Sequence, residues 1–115
     1  MLFRSVVRKL HSLGLQVIPT VTDGTHWMQM STQMSGSYNR GLLVSRLVSV
    51  VTSNNFDGID LDWEQFAFND GSSTWSTTRP RWIAFVHDLA VALQDRKSTR
   101  LNSSHIPLSR MPSSA

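Results

Sequence analysis

The residues best suited to chemistry in this 115-residue chain lie in one short stretch, Asp57-Gly58-Ile59-Asp60-Leu61-Asp62-Trp63-Glu64. Acidic and apolar residues alternate along it, and a period of two predicts a β-strand. Successive strand side chains point to opposite faces, so Asp60, Asp62 and Glu64 share one face and Ile59, Leu61 and Trp63 the other. Alternate residues on a strand lie ~6.5 Å apart, close enough for their carboxylates to repel one another and to disfavour ionisation of all three. A carboxyl that keeps its proton near neutral pH is what a general acid requires. Three buried carboxylates would also cost too much to serve folding alone. The pattern therefore predicts a site, its acidic face lining a barrel interior or the mouth of a cleft.

A divalent cation is the competing use of such a triplet. An EF-hand loop, however, places its glycine after the third acid, whereas Gly58 precedes the strand. No phosphate cradle accompanies the acids. His26 and His87 have no partner at metal-ligand spacing. Neither a metal nor a cofactor is expected. Met28, Met30 and Met34 read as gap-filling core residues, and Trp63 as a packing residue on the apolar side of its strand.

The elements that would carry this strand follow from periodicity. Leu2, Val6, Leu10 and Leu13 recur at helical spacing, and Gly14 stands where a helix end favours a left-handed residue. Residues 15–21 form a β-branched run with the strand character of a buried element, interrupted by Pro19. Residues 22–37 are polar and predict a long loop. From residue 38 to 54, Leu43, Leu47, Val50 and Val51 form an apolar helical stripe. After the acidic strand, Thr78 is a candidate N-cap with Pro80 in the first turn, and Trp82, Val86, Leu89 and Leu93 mark a buried face. The order αβαβα predicts an α/β fold with parallel strands joined by crossover helices. Two such units neither cover both faces of a sheet nor close a barrel, so the expected core is incomplete.

Composition narrows the possibilities further. The absence of cysteine excludes disulfides and a Cys-ligated zinc site. No apolar run approaches the ~20 residues of a membrane span. The start after Met1 lacks the charged-then-apolar order of a secretory signal. Seven Arg and Lys balance seven Asp and Glu in residues 1–94, whereas four against one in residues 95–115 supply the whole net charge of +3. That tail holds six Ser, two Pro and no aromatic residue, and its composition predicts disorder. Its first eleven residues, Asp95-Arg96-Lys97-Ser98-Thr99-Arg100-Leu101-Asn102-Ser103-Ser104-His105, resemble the in-frame translation of a sequencing-adapter oligonucleotide. Residues 1–94 are accordingly read as the structured part of the chain and residues 95–115 as a disordered, non-native tail.

The octapeptide resembles the DGxDxDxE signature of glycoside hydrolase family 18, the chitinase-type enzymes, with every acidic position and the glycine present. The resemblance implies that residues 1–94 are a partial TIM-barrel glycosidase domain, a fragment of a (β/α)8 barrel spanning roughly strands three and four with flanking helices, with an active site at the C-terminal face. By position, Glu64 is implied to be the general acid that protonates the glycosidic oxygen. Asp62 would orient the substrate's 2-acetamido group, Asp60 would hold Asp62, and Asp57 and Gly58 would support the strand. The implied reaction is retaining hydrolysis of β-1,4-linked N-acetylglucosamine polymers through attack by the acetamido oxygen, without a protein nucleophile. Thr20-Val21-Thr22-Asp23-Gly24 stands where that family has Ser-x-Gly-Gly, and only Gly24 echoes it.

Trp27 and Trp75 fall in the loops after the two strands, where an indole could stack on a sugar or pack on a barrel rim. The expected partner is a polysaccharide or oligosaccharide bound by a monomer, with no nucleic acid and no membrane. The resemblance implies secretion or a cell-surface location. The alternatives are a non-catalytic carbohydrate-binding relative and a fragment without activity of its own.

Overall fold

The helices entering the two strands end in the same way. In the computed structural model, which describes residues 2–97, helix α1 (Leu2–Ser12) closes at Gly14, whose φ is 78°. The Gly14 N–H donates to His11 O at 2.9 Å and the Leu15 N–H to Leu10 O at 3.1 Å, the paired bonds of a Schellman motif. Helix α3 (Gly36–Asn54) repeats the device with Asn55, at φ 57°, while the Phe56 N–H reaches Val51 O at 3.0 Å. Each motif turns the chain back towards a strand.

Those strands, β1 (Thr20–Thr22) and β2 (Asp60–Asp62), pair in parallel with Thr20 opposite Asp60, Val21 opposite Leu61 and Thr22 opposite Asp62. The regular ladder is much shorter than the two predicted runs. Pro19 has no N–H to contribute, but its carbonyl accepts the Asp60 N–H at 2.9 Å, and the Val17 carbonyl accepts that of Asp57 at 2.9 Å. The chains therefore stay side by side upstream of the ladder.

The predicted loop 22–37 contains a short helix, α2 (Gln29–Gln33). Met30 and Met34, one helical turn apart, are buried in the core, which fits the gap-filling reading, whereas Met28 is half-buried outside it. After β2 come a π-helical turn (Gln65–Asn69), a 3-10 turn (Ser72–Thr74) and helix α4 (Trp75–Lys97). Helix α4 starts earlier than predicted, and Pro80 lies inside it. Thr78 does not cap it. Its side chain is fully buried, with the hydroxyl 2.7 Å from that of Ser31. Arg81 donates to the Ser31 carbonyl at 3.2 Å and to its hydroxyl at 3.0 Å, fastening α2 to α4. Helix α4 runs through Lys97, three residues into the expected tail, and the rest of that tail lies outside the described residues.

The core lies between the inner face of the strands and helices α3 and α4. Leu43, Leu47 and Val51 of α3, and Trp82, Val86, Leu89 and Leu93 of α4, are buried as predicted. Val50 is not, because Val44 and Val48 complete the inward stripe of α3 in its place. An aromatic cluster joins β2 to α4: Trp63 stacks on Phe85 at 5.3 Å and 21°, and Trp82 lies 6.0 Å from Trp63 and 5.1 Å from Phe66. Full burial of each such side chain contributes about 1.5–3 kcal/mol. Arg40 and Asp88 add a partly exposed ion pair between α3 and α4 at 3.0 Å, worth no more than about 1 kcal/mol.

Helix α1 departs from the expectation. Val7 is its buried residue, while Val6 is 48% and Leu13 61% exposed. Helix α1 packs against α3, and among the described residues no element covers the Val6–Leu13 side. Phe3, Leu15 and Ile18 are also exposed.

Candidate active site

Parallel pairing brings the C-terminal ends of both strands to one edge of the sheet. Asp60 and Asp62 belong to β2 itself, and Glu64 follows two residues beyond its C-terminal end. On the opposite face Ile59, Leu61 and Trp63 are all buried, so the predicted alternation holds in the burial pattern. The acids are less enclosed than expected: Asp60 and Asp62 are half-buried and Glu64 is exposed. Contrary to the expectation of three buried carboxylates, none of the three residues is fully buried. The described residues cover the apolar face of β2 and enclose its acidic face only in part, with Asp62 Oδ1 out of solvent and Glu64 exposed.

Thr20 supplies a contact that the sequence did not reveal. Its hydroxyl donates to Asp60 Oδ2 at 3.0 Å across the β1–β2 ladder. The segment 20–24 therefore contributes a hydroxyl to the acidic face, although Gly24 alone had seemed to echo the family pattern. Periodicity places Thr20 and Asp60 each on a face of its own strand, but only the register makes them neighbours.

Asp57 points elsewhere. Its Oδ2 lies 2.6 Å from His11 Nε2 and accepts the Val17 N–H at 2.7 Å. One carboxylate thus ties the end of α1, the approach to β1 and the start of β2. Gly58 is buried beside it in sequence.

Two loops frame the acidic edge. In the first, Asp23 Oδ1 accepts both the N–H of Thr25 at 2.8 Å and its hydroxyl at 2.6 Å, folding residues 23–25 into an Asx turn. Trp27 follows, 66% exposed, and then Met28 in a left-handed conformation with φ 59°. In the second, Glu64 leads into the π-helical turn, its carbonyl accepting the Phe68 N–H at 2.9 Å. Trp75, which opens α4, is half-buried, and its indole N–H is out of solvent with no hydrogen-bond partner among the described residues. Trp27 and Trp75 thus differ, with only Trp27 presenting most of its surface.

The two loops share one carboxylate that sequence reasoning did not single out. Asp70, 5% exposed, accepts the Met28 N–H at 3.0 Å and the Gln65 side-chain amide at 2.8 Å, both on Oδ1. The Met28 partner lies 42 residues away in sequence and leaves no periodic signal. Among the described residues, no group of three or more His, Asp or Glu side chains is arranged to hold a metal ion, and His26 and His87 are exposed. No described helix is long and apolar enough to cross a membrane.

No family model matches the chain. Over 82 residues, 70% of its length, it is 33% identical to Chitotriosidase-1 of Mus musculus, and it spans 17% of that protein. The chain is similar to chitinase-type proteins. The solved structure of the C-terminal domain of a protein assigned as a chitinase, from Desulfitobacterium hafniense DCB-2, superposes with a TM-score of 0.67 at 21% identity. That match covers 82% of this chain and 27% of the other, and it supports an α/β fold for the segment. This chain therefore corresponds to a minor part of each chitinase-type neighbour.

Proposed function

We propose that this chain is a segment of a (β/α)8 barrel glycosidase that cleaves β-1,4-linked N-acetylglucosamine polymers. The carrying observation is the strand β2 of a parallel pair, in which Asp60 and Asp62 flank the buried Leu61 and Glu64 lies exposed just beyond the C-terminal end. The similarity to chitinase-type proteins supports the substrate class. The partly exposed acidic face and the exposed apolar side of α1 support the barrel reading, since further strand–helix units would cover both.

In this reading Glu64 donates its proton to the glycosidic oxygen as the bond from that oxygen to the anomeric carbon breaks. The acetamido carbonyl oxygen of the same sugar attacks the anomeric carbon, and Asp62 orients that group and stabilises the positive charge it acquires. Asp60, held by Thr20, holds Asp62 in turn. Water then opens the cyclic intermediate, its proton passing to the Glu64 carboxylate, and the original configuration is restored. Trp27 offers a stacking surface for a neighbouring sugar, with Trp75 as a rim residue. Neither metal nor cofactor takes part.

The test is the anomeric form of the first product released from N-acetylglucosamine oligomers by the full-length polypeptide, followed by proton NMR. Retention is expected. An initially inverted product, or oligosaccharide binding without any cleavage, contradicts the reading; the latter identifies a carbohydrate-binding relative.

A further inference from the structure

Asp70 is the most deeply buried acidic side chain among the described residues, and its bonds do not serve the strand that carries the other acids. Its Oδ1 gathers two donors from different loops. The Met28 N–H comes from the loop after β1, 42 residues away in sequence, and the Gln65 amide from the turn after β2. The Asp70 N–H donates back to the Gln65 carbonyl at 2.8 Å, so Asp70 and Gln65 are joined twice. Asn69 also donates to Gln65 Oε1, at 3.3 Å, and helix α2 packs against the same turn. Oδ2 is buried and meets no donor among the described residues.

The residues adjoining these partners are the important ones. Gln65 directly follows Glu64, whose carbonyl begins the turn that Asp70 closes. Met28 directly follows Trp27 and holds a left-handed backbone conformation that side-chain-bearing residues adopt only at a cost. The hydrogen bond from its N–H to a buried carboxylate offsets that cost and fixes the direction in which the chain leaves Trp27. One carboxylate thus connects the backbone carrying the acid to the backbone carrying the exposed indole.

We infer that Asp70 is a positioning residue that sets the spacing between Glu64 and Trp27, and with it the length of glycan that the site engages. The inference rests on the glycosidase reading above and adds to it a determinant of preference for long oligosaccharides. Asp70 touches no substrate and acts through Gln65 and Met28.

The test compares two substrates in the full-length polypeptide: an N-acetylglucosamine hexamer, and a short aryl glycoside that does not extend beyond the acid. Small misplacements of positioning groups are costly to rate, and the Asp70→Ala variant is expected to lose about tenfold more kcat/KM on the hexamer than on the aryl glycoside. Asp70→Asn keeps an oxygen for both donors and is expected to restore the hexamer rate. Asp70→Ala combined with Trp27→Ala is expected to show less than the product of the single losses on the hexamer, because the two residues act as one unit. Equal losses on both substrates, or losses that multiply, overturn the inference. If Asp70→Ala does not fold, Gln65→Met removes one of the two donors and is read in the same way. A wild-type protein inactive on both substrates overturns the glycosidase reading, and the inference falls with it.

Discussion

The Thr20 hydroxyl and the Asp60 carboxylate are 40 residues apart in the chain and 3.0 Å apart across the sheet. The parallel register sets them opposite one another, so the first strand holds the first acid of the triplet from the side. A hydrogen bond to an ionised carboxylate is stronger than one between neutral groups. It also restricts the rotamers open to Asp60, the residue proposed to hold Asp62.

Replacing Thr20 with Val removes the hydroxyl and keeps the β-branched shape. Turnover on N-acetylglucosamine oligomers in the full-length polypeptide is expected to fall about tenfold, equivalent to about 1.4 kcal/mol of transition-state stabilisation. Thr20→Ser keeps the donor and is expected to retain most of the rate. Steady-state kinetics on the two variants checks this, and equal rates for Val and Ser contradict it.

Asp57 predicts a stability effect. Its Oδ2 meets both His11 Nε2 and the Val17 N–H, so Asp57→Ala leaves two groups without their acceptor in a part-buried setting. Loss of such a shared acceptor costs about 1–3 kcal/mol. Urea unfolding of the full-length polypeptide is expected to show a lower midpoint with an unchanged slope. An unaltered midpoint contradicts the supporting role.

The exposed side of α1 predicts how the chain behaves alone. Phe3, Val6, Leu13, Leu15 and Ile18 are all exposed, and the sheet has two strands. In the barrel reading proposed above, neighbouring strand–helix units would cover this hydrophobic surface. Isolated residues 1–97 are expected to melt without a cooperative transition and to bind a hydrophobic dye. A sharp calorimetric transition contradicts the barrel-segment reading.

How much of this was legible in the sequence depended on the range of the interactions involved. Helical periodicity identified the buried faces of α3 and α4 because Leu43, Leu47 and Val51, and Trp82, Val86, Leu89 and Leu93, obey a local geometric rule. Gly14 marked the end of α1 for the same reason, since its left-handed backbone is a local requirement. Alternation sorted Ile59, Leu61 and Trp63 from the acids. The failures arose where a distant partner decided the outcome. Thr78 looks like a cap until Ser31 takes its hydroxyl, and the register that pairs Thr20 with Asp60 belongs to the sheet. Val6 looks like a core residue, and among the described residues nothing is present to cover it. The bond between the Met28 N–H and Asp70 left no trace because it joins residues 42 apart that no local period relates.

The most direct test of the proposed activity is the Glu64→Gln variant of the full-length polypeptide, assayed for both cleavage and binding of an N-acetylglucosamine hexamer. Glutamine preserves the shape of the side chain but has no acidic proton to donate. Removal of a positioned general acid is expected to lower turnover about 100- to 10,000-fold, with hexamer affinity close to that of the wild type. Turnover at the wild-type rate would contradict the assignment of Glu64 as the acid and, with it, the mechanism proposed for this chain.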